Sequence, residues 1–102
     1  MEAKRVFISQ PYHNVSMKQL KQDREETVKE LLLKGYKIIN PELPEHISDY
    51  SWRDSVHNLG LSISLMGKAD LVYFCKGWRI APGCIVEREV ARQYNIPCLF
   101  EV

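Results

Sequence analysis

The sequence predicts a single-domain α/β fold over residues 1–102, a parallel Rossmann-like or flavodoxin-like sheet of about four strands flanked by three helices. Three observations predict it. Four short apolar runs have the composition of buried strands. Stretches with apolar residues every three or four positions stand between them. Glycine or proline punctuates the junctions, as at Gly35, Pro41 and Gly83. Strands that alternate with helices imply βαβ units, hence parallel pairing, right-handed crossovers and helices on both faces of the sheet.

Residues 4–9, KRVFIS, form the first strand, and the loop QPYHNV follows. Ser16 and Gln19 have the spacing of a capping box, with Ser16 capping the backbone and Gln19 reaching back. The first helix runs from there to Lys34, with Leu20, Val28, Leu31 and Leu32 as its apolar face and Gly35 as its stop. Tyr36–Ile39 is the second strand, ended by Asn40-Pro41. Residues 41–50 hold two prolines and no clear period, and read as a loop. A second helix over about residues 51–67 is carried by Trp52, Val56, Leu59, Ile63 and Met66. Asp70–Cys75 is the third strand. KGWRIAPG leads into a third helix over residues 83–94, and residues 96–102 form the fourth strand.

Hydrophobic residues make up 45% of the 102 positions, charged residues 26%, and the net charge is +1, the balance of an ordinary globular protein with no electrostatic case for binding nucleic acid. Lys18, Lys21 and Lys29 interleave with Asp23, Glu25 and Glu26, which reads as a solvated helix face. No apolar run approaches the roughly 20 residues that span a bilayer. The opening MEAKRVFIS enters a strand directly, so no signal peptide is expected. Cys75, Cys84 and Cys98 are odd in number and two of them lie in apolar strand-like runs, which points to a reducing cytoplasm rather than a disulfide framework. No cysteine and histidine spacing suits zinc; His13, His46 and His57 are far apart and read as loop or surface residues. No metal or cofactor is expected.

One residue breaks the pattern. On a helical wheel of residues 83–94, Cys84, Val86, Val90, Ala91 and Tyr94 share an arc, while Arg88, Glu89, Arg92 and Gln93 oppose it with Ile85. Glu87 falls near the middle of the apolar arc. A carboxylate there must be paired, protonated or set in a cleft. It is either a buried structural acid or a catalytic or ligand-binding one. In parallel sheets, ligands bind beyond the carboxyl ends of strands. The loops at residues 9–16 and 76–83 occupy that place, and Gly83 and Glu87 open the helix after the second.

The motif series RVFISQPY, Gly35-Tyr36 with Asn40-Pro41, Ala69-Asp70 before an apolar strand, Gly77-Trp78, and Gly83-x-x-x-Glu87-x-x-x-Ala91 resembles the nucleoside 2-deoxyribosyltransferase superfamily. That group includes nucleoside 5′-monophosphate N-glycosidases and short, often phage-borne relatives. The resemblance covers nearly the whole chain. It implies that Glu87 is the nucleophile that attacks the anomeric carbon of a sugar, and that the protein is a homo-oligomer, a dimer or larger, with shared sites. Such a carboxylate stabilises an oxocarbenium-like state or forms a covalent glycosyl intermediate. Ser9, Gln10 and Tyr12 are candidate ligand contacts, or ordinary turn polarity. Trp78 is a candidate for stacking on a base, or a cover for the sheet end. Backbone N–H groups beginning at Gly83 are suited to a phosphate or a sugar hydroxyl.

The sequence also departs from the family pattern. The family's second acid is replaced by Ser62, whose hydroxyl cannot serve as a tuned carboxylic acid does. Asp54 lies about 12 Å away along the helix and is unlike a substitute. Asn58, one turn before Ser62, offers only hydrogen bonds. Ala81 stands where short relatives have serine, Val6 where a tyrosine is common, and Gln10 where a small glycine is usual. Asp70, at the far edge of the sheet, reads as structural. Cys84 is either a thiol activated by a helix start or a small buried one, the latter favoured because no base partner is evident. Three functions remain: an enzyme acting at an N-glycosidic bond through Glu87 with Ser62 or Asn58 assisting, a catalytically impaired nucleotide-binding module (sensor, sponge or regulatory partner), and a structural oligomerisation domain.

Overall fold

A computed structural model of the chain describes residues 2–44, 47 and 51–102. The expectations for His46 and for half of the loop over residues 41–50 (45, 46 and 48–50) lie outside the described residues. The elements are β1 (Arg5–Ser9), α1 (Met17–Leu33), β2 (Lys37–Ile38), α2 (Trp52–Met66), β3 (Leu71–Phe74), a 3₁₀ turn (Trp78–Ile80), α3 (Pro82–Gln93) and β4 (Cys98–Phe100). The four strands pair in parallel in the order β2-β1-β3-β4. That is the strand order of a flavodoxin-like doubly wound sheet. Among the described residues, no helix is long and apolar enough to cross a membrane.

The period of two along the central strands divides the core. Val6 and Ile8 of β1 join Leu71 and Tyr73 of β3, and Cys75 just beyond it, against Leu31 of α1. Phe7, Val72 and Phe74 point the other way, against Met66 of α2 and Ala91 of α3. Both central strands are covered on both faces, which is why their sequences are nearly unbroken apolar runs. The same alternation turns Ser9 with Phe7 toward α3 and places Gln10 against α1.

The strands are shorter than the apolar runs suggest, because hydrogen bonding continues without strand geometry. Ile39 N–H donates to the Val6 carbonyl beyond β2. The Asn40 side chain then supplies the next rung, accepting from Ile8 N–H and donating to the Ile8 carbonyl, both at 2.8 Å. At the other edge, the ladder of β4 reaches from the Pro97 carbonyl to the Glu101 N–H.

Ser16 caps α1 by accepting from the Gln19 N–H. The reciprocal half of the expected capping box is missing: the Gln19 amide bonds Asp23 instead. Gly35 ends the helix at φ +90°, a left-handed conformation that glycine adopts without strain. Ser51 caps α2 in the same way.

Three apolar faces are narrower than their sequence patterns. Leu32 is 53% exposed, so α1 is buried through Leu20, Arg24 and Leu31. Trp52 and Val56 are exposed at the start of α2, and only Met66 at its end is fully covered. On α3, Val86 and Tyr94 are exposed, and the buried stripe is Cys84, Glu87 and Ala91. Glu87 is thus the centre of that stripe.

A candidate active site around Glu87

The chain leaves β1 toward α1 on one face and β3 toward α3 on the other, so a crevice opens beyond the ends of these neighbouring strands. It forms a cavity of about 140 Å³. Gln10, Pro11, Tyr12 and His13 line it from the loop after β1, and Asn58 and Ser62 from α2. Ala81, Gly83, Cys84 and Glu87 complete it from the start of α3.

Glu87 is 6% exposed and lines this cavity. The Ser9 hydroxyl donates to its Oε1 at 2.7 Å, and the Ser62 side chain lies near enough to favour the ionised carboxylate. Burial pushes the carboxyl up to about 7, while Ser9, Ser62 and the charge of Arg24 pull it down. Near neutral pH the group is therefore divided between its acid and its carboxylate.

Of the residues singled out from the sequence, Tyr12, Asn58, Ser62, Gly83 and Glu87 come together around this space. Ser9 belongs to the group but is 1% exposed and turned onto Glu87, so it supports the carboxylate from behind. Gln10 lines the wall with its amide engaged on both sides, donating to the Leu20 carbonyl and accepting from Arg24. Trp78 does not join the cavity. It packs against Phe74 and Phe100 with ring centroids 5.4 Å apart in each case, as a cover for the sheet end. Asp70 accepts from the Arg5 N–H at the opposite end of the sheet.

Two features of the α3 start bear on ligands. No side chain caps it, because Ala81 occupies the cap position, and this leaves first-turn N–H groups for a ligand. A Cβ built on Gly83 meets no atom of the described residues within 4 Å, so a methyl group there clashes with none of them. Cys84 is not activated by this helix start. Burial pushes its thiol up to about 12, which outweighs the hydrogen bond with Ser9.

Arg24 was hidden in the charge run of α1. It is 2% exposed and has no carboxylate within ion-pair distance among the described residues. Its Nε donates to Gln10 Oε1 at 2.7 Å, its Nη1 to the carbonyls of Asn40 and Glu42, and its Nη2 to the Tyr12 hydroxyl at 3.0 Å. One guanidinium thus ties the loop after β1 to the loop after β2. A signal did exist: Arg24 lies four residues from Leu20, four from Val28 and seven from Leu31, on the apolar stripe. Among the described residues, no three histidine, cysteine, aspartate or glutamate side chains are grouped to hold a metal ion.

No family model matches the chain, and no curated protein or solved structure matches it.

Proposed function

We propose that the protein cleaves or transfers at the N-glycosidic bond of a nucleoside or nucleoside 5′-monophosphate, as a short relative of the nucleoside 2-deoxyribosyltransferases. Glu87 is the nucleophile. The observation that carries this reading is a buried carboxyl, held by the Ser9 hydroxyl with Ser62 nearby, that faces an open cavity and titrates near neutrality. Ionised Glu87 attacks the anomeric carbon as the base departs, and the glycosyl ester passes to water or to a second base. A volume of about 140 Å³ is below the roughly 300–1,000 Å³ of sites for drug-sized ligands. It suits the sugar, with the base toward the mouth near Tyr12 and His13. The uncapped α3 start offers N–H groups to a hydroxyl or a 5′-phosphate.

A homo-oligomer fits the same reading. Trp52 and Val56 continue the apolar stripe of α2 beyond what this chain covers. Three free thiols suit a reducing cytoplasm.

A second reading, a nucleotide-binding module without turnover, is favoured by Ser62, which stands beside Glu87 in place of an acid. Release of free base from ribo- and deoxyribonucleosides and their 5′-monophosphates separates the two. The expected result is release by wild type that is lost in Glu87→Ala and that rises with pH through about 7, as the nucleophile ionises. A folded wild type that nucleotides stabilise but that releases no base would instead be the binding module.

A further inference from the structure

We infer that Tyr12, with its hydroxyl held by Arg24, is the general acid that protonates the departing base, the part that Ser62 cannot play. This rests on the glycosidic reading above. Arg24 Nη2 donates to the Tyr12 hydroxyl at 3.0 Å. Arginine carries no acceptor, so the phenol oxygen receives this bond and its own proton must point elsewhere. Among the described residues no side chain accepts that proton, while Tyr12 lines the cavity. Tyr12 and Glu87 line the same cavity, and the phenol feels the charge of Glu87.

The other titratable residues of the lining fit the role less well. Cys84 is buried and bonded to Ser9. Glu87 is the nucleophile. His13 is exposed at the rim, and among the described residues no hydrogen bond fixes its ring there. Burial raises the Tyr12 hydroxyl above the usual phenol value, so it carries its proton at neutral pH.

The step balances. As Glu87 forms its C–O bond to the anomeric carbon, the C–N bond breaks and its electron pair stays with the base nitrogen. That nitrogen takes the phenol proton. The phenolate left behind is stabilised by the guanidinium. When water attacks the glycosyl ester, its proton goes to the phenolate, the C–O bond to Glu87 breaks, and both residues return to their starting states. Arg24 is a positioning residue that acts through Tyr12.

The test compares wild type, Tyr12→Phe, Arg24→Met and His13→Ala on two substrates that share a sugar. One carries the natural base that the wild type releases. The other carries 4-nitrophenol, whose anion departs without a proton. Melting temperatures confirm folding. Tyr12→Phe is expected to lose on the order of 10²–10⁴-fold on the natural base and less than about tenfold on the aryl substrate. Arg24→Met should show the same leaving-group dependence, which a merely structural role would not produce. Should that variant fail to fold, Tyr12→Phe decides alone. A loss below about tenfold on the natural base, an equal loss on both substrates, or leaving-group dependence found in His13→Ala instead would overturn the role of Tyr12 and leave the glycosidic reading intact. Where the aryl substrate is not turned over, the natural base decides at the same tenfold threshold. A wild type that turns over neither substrate removes both readings.

Discussion

Among the described residues, Glu87 and Arg24 are the two buried charged side chains, and each sits on the apolar stripe of a helix. A raised folded-state pKa has a definite sign. The ordinary carboxyl value is 4.5 and the folded value is about 7, so the folded state binds the proton more tightly. The stabilisation is complete below about pH 4.5 and is lost as pH rises through 7. The loss is about 3 kcal/mol over that window. Glu87→Gln cannot ionise, so wild type should lose about that much relative to the variant when urea unfolding is compared at pH 4.5 and pH 8. Equal pH dependence in both proteins would show that the Glu87 carboxyl does not titrate as described. Gly83 offers a second prediction at this scale. Among the described residues, alanine there meets no atom within 4 Å, so stability should hold or rise by up to about 1 kcal/mol, while the methyl is added to a residue that lines the site. Nucleotide affinity, read by calorimetry, should fall at least severalfold; unchanged affinity would place the ligand elsewhere.

Among the elements, β2 shows how little strand is needed when a side chain takes over the ladder. Asn40 satisfies both the N–H and the C=O of Ile8, and Arg24 then holds the Asn40 carbonyl. Asn40→Ala leaves two part-buried backbone groups without these partners. The expected cost is about 1–3 kcal/mol, which for a domain of this size is a drop of at least about 4 °C in Tm. A scanning fluorimetry trace that matches wild type would mean that water replaces the amide without penalty. The sequence pattern located every helix, because caps and periodic apolar residues act locally. It overestimated the faces. Leu32, Val86 and Tyr94 continue their stripes but lie beyond the reach of the sheet. Periodicity records which way a side chain points and does not record whether anything is there to meet it.

For the molecule as a whole, the exposed stripe of α2 is the clearest opening for assembly. If Trp52 and Val56 meet a second copy, sedimentation should find a dimer or larger species, and Val56→Asp should reduce it to monomer while the circular dichroism spectrum stays that of wild type. A wild type that sediments as a monomer at all accessible concentrations would rule this interface out. The doubly wound sheet was legible in the sequence because a parallel sheet buries its strands on both faces and so writes them as apolar runs between amphipathic segments. Glu87 was legible for the same reason in reverse, as a charge where the pattern demanded none. Arg24 left the identical mark but was masked by the charged residues beside it in the chain. Four things were decided only in three dimensions: Ser9 turning onto Glu87, Ser62 meeting the same carboxyl from another helix, Trp78 turning away to cover the sheet end, and one guanidinium joining two loops to the Tyr12 hydroxyl. Each depends on which elements the sheet order makes neighbours. Local sequence sets the direction of a side chain, while its partner, and with it the pKa and the chemistry, comes from residues far away along the chain.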